Sequence, residues 1–369
     1  MDFILQNSER NNCRLVIKMD KRDILLCSKE EIIEYLLAIG EKKFRGNQIY
    51  EWLHVKLTEN FEEMTNIPKS LREKLNEDFY IPQIEIVRVL ESKIDGTMKF
   101  LLKLSDGNVI ESVLMKYHHG NSVCISTQVG CRMGCKFCAS TLDGLERNLK
   151  FSEMLREIYI IQRYSGERVS NIVLMGCGEP MHNYDNVISF VKRISDENGL
   201  HISQRNITIS TCGIVEKMKE MADTGVQVTL ALSLHAADDE TRKGLMPIAY
   251  KYKISEVLDA CRYYFKKTGR RITFEYSLVA GVNDTKEEAA KLVSIIKDIN
   301  CHVNLIPVNP IKERDFKKST KVNIEVFKKH LEKNGINVTI RREMGADIQG
   351  ACGQLRKSFI EETAGEKEV

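Results

Sequence analysis

From Val123 onward the sequence repeats one unit, in which a short apolar run is followed by a helical stretch. Six such runs occur, VCIST, NIVLMG, NITIST, VQVTLALSL, RITFEYSLV and HVNLIPV, and helical patterns such as 152–164 and 284–298 follow them. Parallel strands need a crossover between them, and a helix usually supplies it. We therefore predict a parallel, barrel-like α/β array whose chemistry gathers at the carboxyl ends of the strands.

Two other patterns precede this array. From Lys29 to about Tyr80 apolar residues recur at helical spacing, which predicts a small helical module. Residues 84–117 contain the runs IEIVRVL, MKFLLKL and VIESVLMKY, separated by Asp-Gly turns, and predict an antiparallel hairpin or meander.

The helical module also carries basic side chains, and two interpretations of them stay open. They form either a surface that contacts RNA phosphates or an ordinary solvated helix face. The positions are Lys42, Lys43, Arg45, Lys56, Lys69, Arg72 and Lys74.

Composition narrows the class of protein. The 369 residues are 43% hydrophobic and 29% charged, contain no run of about 18 apolar residues, and begin without the pattern of a secretory leader. Eleven cysteines, an odd number, argue against a disulfide framework, so we expect reduced thiols in a cytoplasmic protein. The net charge of +3 is too small to indicate whether the protein binds nucleic acid.

The segment CRMGCKFC places Cys131, Cys135 and Cys138 directly after the first strand of the array. Three thiolates so close in sequence favour a soft metal, either zinc or an iron-sulfur cluster. A structural zinc site wants a fourth ligand, and the next dozen residues contain no Cys or His. A cubane held by three cysteines instead leaves one iron open, although the bare pattern does not exclude zinc.

Short polar or glycine-containing segments follow several other strands. Each is a weak signal alone, because such residues commonly close strands. The candidate residues are Gly178 and Glu179 in GCGEP, Ser210 after NITI, Ser233, Leu234 and His235 in ALSLH, and Asn309 in NLIPVNP.

The cysteine spacing, with Phe137 before the last cysteine, and the GEP element resemble the radical S-adenosylmethionine (SAM) superfamily. The resemblance implies a [4Fe-4S] cluster on the three cysteines, with SAM bound to its open iron and to the strand-end residues. Electron transfer into SAM then yields a 5'-deoxyadenosyl radical.

Longer motifs narrow the resemblance to the RlmN family, over roughly 29–356. They are CISTQVGCRMGCKFCASTLDGLERNL, MGCGEPMHNYDNV, SLHAADDETRKGLMP, ADIQGACGQLR and the helical start GEKKFRGNQIYEWL. The family methylates C2 of an adenine in 23S ribosomal RNA and, in some members, of an adenine in transfer RNA.

The resemblance also implies an α/β fold, a partial (β/α)6 radical SAM barrel with an N-terminal helical accessory domain and a short antiparallel β extension. The predicted divisions are an unmatched segment 1–18, an RNA-binding helical domain 19–82, a β extension 83–120, the barrel 121–345, and a C-terminal loop and tail 346–369.

C2 of adenine lies between two ring nitrogens and is electron-poor, so ordinary methyl transfer from SAM fails there. The resemblance implies that a first SAM methylates Cys352, and that a second generates a radical on this methyl group, which adds to C2. Glu111 then accepts the ring proton, and Cys124 resolves the adduct by forming a transient disulfide with Cys352.

The resemblance further implies 23S ribosomal RNA and transfer RNA as partners and flavodoxin or ferredoxin as electron donor, with no membrane and a monomeric chain. Two alternatives stay open. One is a Cfr-like enzyme that methylates C8 of the same adenine, and the other is a non-catalytic RNA-binding protein with a zinc-stabilised loop. The remaining cysteines receive no function: Cys13, Cys27, Cys177, Cys212, Cys261 and Cys301.

Overall fold

A computed structural model describes residues 21–118, 120–309 and 315–348 of the chain. The helices in these ranges are α1 (Lys29–Ala38), α2 (Phe44–His54), α3 (Lys69–Asp78), α4 (Phe151–Ser165), α5 (Tyr184–Ile194), α6 (Val215–Asp223), α7 (Asp239–Leu245), α8 (Ile254–Thr268), α9 (Lys286–Ile296) and α10 (Lys321–Lys333). The strands are β1 (Arg22–Asp23), β2 (Phe79–Tyr80), β3 (Ile84–Glu91), β4 (Met98–Leu104), β5 (Val109–Met115), β6 (Asn121–Cys124), β7 (Gln128–Gly130), β8 (Leu145–Asn148), β9 (Val169–Leu174), β10 (Ile207–Thr211), β11 (Thr229–Ser233), β12 (Ile272–Leu278), β13 (Cys301–Pro307) and β14 (Asn337–Ile340).

One ten-stranded sheet organises the molecule, in the order β14-β13-β12-β11-β10-β9-β6-β5-β4-β3. Strands β6 and β9 to β14 pair in parallel, whereas β3, β4 and β5 are antiparallel and join the array through β6. The two end strands do not pair, so the barrel is partial. This confirms the predicted fold class, and it adds β14 as a seventh parallel strand that the sequence did not predict.

The two faces of this sheet differ in chemistry. On the helix face, Ser112 of β5 donates to Glu157 of α4, and Tyr276 of β12 stacks on Phe327 of α10. Other side chains on this face, such as Leu232, are apolar and buried. We call the opposite side the inner face. In-register pairing places these residues on it: Glu111, Cys124, Thr208, Ser210, Ser233, Glu275, Asn304 and Thr339.

The crossover helices end where their sequences provide a stop. Gly166 after α4 and Gly269 after α8 adopt left-handed conformations, with φ of 67° and 66°, which glycine reaches at least cost. Both helices bury an apolar stripe, through residues such as Ile158 and Val257, against the helix face of the sheet. The stripe explains why the helical periodicity was readable in the sequence.

The helical module, α1 to α3, packs against α4 and α5 of the barrel. Asp23 accepts a hydrogen bond from Ser152 at 2.6 Å, and Tyr50 donates to Asp196 at 2.5 Å. Arg193 donates to the Leu25 carbonyl oxygen at 2.9 Å. These polar contacts join the module to the barrel, while the predicted domain boundaries stay predictions.

Several basic side chains of the module already have acidic partners. Ion pairs join Lys56 to Glu51, Lys69 to Glu73, Arg72 to Glu62, and Lys74 to Glu77 and Asp78. Exposed pairs of this kind contribute little to stability, but they reduce the positive charge available to phosphates. Phosphate contact by this surface therefore stays a prediction. Separately, no helix in the described part of the chain is long and apolar enough to cross a membrane.

Candidate active site

The segment 131–144, here called the cysteine loop, is closed at its base by the antiparallel ribbon β7–β8. The Cys131 amide donates to the Gly144 carbonyl oxygen at 2.7 Å. Gly130, with φ of 75°, lies so close to the residue before β8 that a Cβ atom would stand 2.0 Å from the Gly144 oxygen. Glycine is thus required at the entrance of the loop.

We expect Gly130→Ala to open this ribbon and to reduce iron binding, since the added carbon meets a backbone oxygen that cannot rotate away. Gly144→Ala is the matched control, because Gly144 has a similar φ of 73° but nothing within 4 Å of its missing Cβ. Both variants carry the cost of a positive φ, about 1–2 kcal/mol. Gly130→Ala should lose roughly 1–3 kcal/mol more through overpacking.

Chemical denaturation of the two apoproteins, with iron content after anaerobic reconstitution, measures the difference. Equal denaturation midpoints and equal iron content would contradict the steric account.

The three thiols of the cysteine loop lie close enough to interact electrostatically. Burial raises the pKa of the Cys131 thiol to about 12, with the neighbouring Cys138 adding to the shift. Burial also raises the pKa of Cys135, and the nearby Cys138 and Cys131 raise it further. Without a metal these thiols stay protonated at neutral pH, so binding a soft cation would release protons from them.

This donor set fits an iron-sulfur cluster. Within residues 21–118, 120–309 and 315–348, no three His, Cys, Asp or Glu side chains converge on a point where one metal ion could bind. A cluster differs from a single ion because each thiolate binds a separate iron. Cys131, Cys135 and Cys138 are the residues that would hold it.

The GCGEP turn packs tightly against the segment after β6. Gly178 has φ of 111°, and a Cβ there would stand 2.6 Å from Gln128 Cβ. Glu179 is buried, and its carboxylate accepts hydrogen bonds from the amides of Met181 at 3.0 Å and Cys212 at 2.8 Å. Burial raises the pKa of Glu179 despite these bonds. The glutamate thus links the carboxyl ends of β9 and β10.

The other strand-end candidates differ in how deeply they are buried. Ser210 and Ser233 are half-buried on the inner face. The Leu234 side chain is fully buried in the core, so a ligand can meet this residue only at its backbone. Asn309 follows β13 and is exposed. The structure therefore brings the serines to one edge and leaves Asn309 on the rim.

His235 occupies a constrained position at the end of β11. It has a positive φ of 57°, and its ring meets Phe137 of the cysteine loop edge to face at 4.7 Å between centroids. The Ser277 amide donates to Nδ1 at 2.9 Å, which assigns the proton of the neutral ring to Nε2. Burial lowers the pKa of His235 to about 3, and Arg242 lowers it further. The ring is therefore a neutral donor through Nε2.

Cys124 and Glu111 come together although Glu111 belongs to the β extension and Cys124 to the first strand of the barrel. Cys124 pairs with Val113 across the β5–β6 junction, and Glu111 lies two residues before Val113 on the same face. Burial raises the pKa of Cys124 to about 11, while the positive charge of Arg341 lowers it. A buried Lys99 lies 3.2 Å from the Glu111 carboxylate. The thiol, the carboxylate and the two cations share one region of the inner face.

Cys352 lies outside the described residues. The last described segment before it is anchored on the β3–β4 turn, where Asp347 accepts hydrogen bonds from Ser92 Oγ at 2.6 Å and the Lys93 amide at 2.9 Å. The Gly345 amide donates to Asp95 at 3.0 Å. The chain that leads to Cys352 is thus attached to the hairpin next to the strand of Glu111.

Sequence reasoning missed three charged residues of the site, Lys99, Arg242 and Arg341. A Lys in an apolar strand carries no local signal of function, and Arg242 was given no role although it lies in the SLHAADDETRKGLMP motif. Only the alternation of β4 could have shown that Lys99 points to the same face as Glu111. Cys212, which received no function, lies with its sulfur 3.2 Å from the Met133 sulfur of the cysteine loop.

Comparison with known proteins gives two family matches. Residues 125–293 match the radical SAM superfamily, and residues 23–81 match the ribosomal RNA large subunit methyltransferase N-terminal domain. The first match contains the cysteine loop and the strand ends of β9 to β11. The second covers the helical module.

Individual relatives agree with these matches. A protein of Lachnospira eligens described as a probable dual-specificity RNA methyltransferase RlmN is 62% identical over 92% of this chain and 97% of its own length. One of Lachnoclostridium phytofermentans with the same description is 64% identical over 93% and 97%. The crystal structure of a radical SAM methyltransferase from Sphaerobacter thermophilus has a TM-score of 0.86 and 39% identity, covering 90% of this chain and 98% of that one.

Proposed function

Because the chain belongs to the RlmN family of radical SAM RNA methyltransferases, we propose that it methylates C2 of an adenine in 23S ribosomal RNA and also acts on transfer RNA. It uses one [4Fe-4S] cluster and two molecules of SAM for each methyl group, and it receives electrons from a flavodoxin or ferredoxin. We place this activity in the cytoplasm and in a monomer.

One observation carries the proposal beyond family membership. Cys124 and Glu111 share the inner face with Ser210 and Ser233, the residues proposed to contact SAM. A direct methyl transfer from SAM to a nucleophilic atom would need no thiol outside the cluster. A thiol beside a carboxylate is what a covalent protein–RNA intermediate requires for its release.

Within this proposal the cofactor residues bind and orient. Cys131, Cys135 and Cys138 hold the cluster, which with SAM supplies the 5'-deoxyadenosyl radical. Glu179 fixes the ends of β9 and β10 through its two amide contacts, and its remaining lone pairs are acceptors for the SAM ammonium. The SAM site is completed by Ser210, Ser233, the Leu234 backbone, His235 and Asn309. Gly178 allows the GCGEP turn to pack closely against Gln128.

The release step uses residues on the inner face. Glu111 accepts the proton from C2 of the adduct, and the Lys99 ammonium, 3.2 Å away, holds this carboxylate in place on the inner face. After the ring proton has gone to Glu111, the unpaired electron left by radical addition would return to the oxidised cluster that the three cysteines would hold. The Cys124 thiolate then attacks the sulfur of Cys352 and forms a disulfide, while the electron pair of the broken sulfur–carbon bond goes to the carbon, which takes up a proton. Arg341 favours the thiolate that this attack needs.

The proposed reaction is tested by methylating unmodified 23S ribosomal RNA fragments and transfer RNA with methyl-labelled SAM under anaerobic, reducing conditions. The RNA is digested, and its nucleosides are compared with 2-methyladenosine and 8-methyladenosine standards by mass spectrometry. We expect 2-methyladenosine from both RNA classes, with Cys138→Ala as the inactive control.

Each other outcome has a distinct meaning. If 8-methyladenosine forms, the Cfr-like alternative is correct. If transfer RNA stays unmodified, dual specificity is wrong. Stoichiometric zinc without SAM cleavage would support the non-catalytic RNA-binding protein.

A further inference from the structure

Arg242, in α7, is a fully buried arginine at the edge of the proposed SAM site. Its guanidinium donates from Nε to the Leu234 carbonyl oxygen at 3.2 Å and from Nη2 to the Cys212 carbonyl oxygen at 2.7 Å. Nη2 also lies 3.4 Å from the Ser233 carbonyl oxygen. These carbonyls close β10 and β11, so one planar side chain fixes two strand ends relative to each other.

The charge of this side chain is poorly compensated. In the part of the chain that the structure describes, its hydrogen bonds go to backbone carbonyl oxygens, no carboxylate lies within ion-pair distance of it, and its Nη1 atom has no hydrogen-bond partner. The negative charge of Asp239 reaches it only as a longer-range interaction. A buried cation costs free energy unless an opposite charge offsets it, and burial lowers the pKa of Arg242 accordingly. The protein alone therefore leaves the site short of negative charge.

Cysteine thiols are among the groups that act on the guanidinium charge. The thiols of Cys135 and Cys212 interact with its charge. The cysteine loop also rests on the end of α7, since the Lys136 amide donates to the Leu245 carbonyl oxygen at 2.9 Å and Gly134 approaches Pro247. An anionic group bound by Cys135 would thus lie within the field of Arg242.

We propose that Arg242 is a positioning residue that fixes the strand ends of the SAM site and supplies the positive charge opposite the iron-sulfur cluster, which raises the reduction potential of the cluster. The inference rests on the proposed cluster ligands. It follows from electrostatics, because reduction adds a negative charge and a neighbouring buried cation favours it. The effect of Arg242 on the reduction potential is larger because its guanidinium is buried and shielded from water.

Two substitutions separate charge from geometry. Arg242→Met removes both, whereas Arg242→Lys keeps the charge but loses the planar fork that reaches two strand ends. Arg156→Met is the matched control, since Arg156 is also almost fully buried but contacts Thr58 and Glu59 at the helical module. Each protein is reconstituted anaerobically, and its iron content and circular dichroism are recorded first.

The cluster potential is then measured by redox titration followed by electron paramagnetic resonance, and SAM binding by equilibrium titration. We expect a more negative potential in Arg242→Met, and a potential near that of the parent in Arg242→Lys and Arg156→Met. SAM affinity should fall about tenfold in Arg242→Lys, because hydrogen bonds from a charged group are worth about 1.5–3 kcal/mol.

An unchanged potential in cluster-loaded Arg242→Met would overturn the charge role. If Arg242→Met does not fold, Arg242→Lys still decides, since a large negative shift despite a retained charge would also overturn it. Unchanged SAM affinity in Arg242→Lys would overturn the positioning role. Failure of the parent protein to bind a cluster at all would instead contradict the proposed function.

Discussion

Cys124→Ala is expected to accumulate a covalent protein–RNA adduct, whereas Cys352→Ala forms neither methylated protein nor RNA product. The two thiols should fail differently because one carries carbon to the RNA and the other releases it. Without Cys352 the one-carbon unit has no carrier. Without Cys124 the carbon is still transferred to the RNA, but no thiolate attacks Cys352 to break the bond between its sulfur and this carbon.

The adduct is detected on a denaturing gel after anaerobic turnover with unmodified RNA, and digestion identifies the linked peptide. Cys301→Ala is the matched control, since Cys301 is also a buried cysteine in a parallel strand but shares the helix face with Val303. It should turn over normally. Normal product formation by Cys124→Ala would show that another group resolves the adduct.

Glu111→Gln should also stall with the RNA attached, because the amide cannot take up the C2 proton. Exchanging the exposed Glu85 for Gln is its control, since Glu85 pairs with Lys103 on the neighbouring strand much as Glu111 pairs with Lys99. Turnover at the parent rate in Glu111→Gln would remove this carboxylate from the release step.

Replacing any one of Cys131, Cys135 or Cys138 by Ala is expected to abolish the cluster and reduce SAM cleavage to background. Two thiolates do not retain a cubane firmly, and no neighbouring His or Cys in the described loop replaces the third. Folding should largely survive, because the loop is held at its base by β7 and β8 rather than by the metal.

Iron and sulfide per chain, the visible absorbance and the yield of 5'-deoxyadenosine check this result. Cys261→Ala is the control, as Cys261 is completely buried in α8. Retained SAM cleavage in a Cys135→Ala protein whose cluster has been verified would exclude Cys135 as a ligand.

The sequence alone predicted the order of most elements, and it also proposes the residues that would contact cofactors. Strand and helix periodicities are local, so the alternation from Val123 onward and the helical module could be read directly. The four-residue strand β14 was not predicted, because so short a run shows no clear alternation of apolar and polar residues. It becomes a strand only by pairing with β13 at the edge of the sheet.

Gly130 shows the same division within the site. The sequence shows that residue 130 is glycine. The reason that glycine is required there appears only after folding, when a Cβ atom at this position would lie 2.0 Å from the Gly144 carbonyl oxygen. The Leu234 side chain likewise belongs to a motif, yet packing turned it into the core and left its backbone to face a ligand.

What the sequence determined is the set of thiols and the spacing on which the proposed cluster site depends, because those properties depend on neighbouring residues. What only the tertiary structure decided is which charges surround them. Lys99 meets Glu111 through pairing across β4 and β5, and Arg242 reaches the ends of β10 and β11 from a separate helix. Electrostatic interactions depend on distance in space and on burial, and neither can be read from positions along the chain.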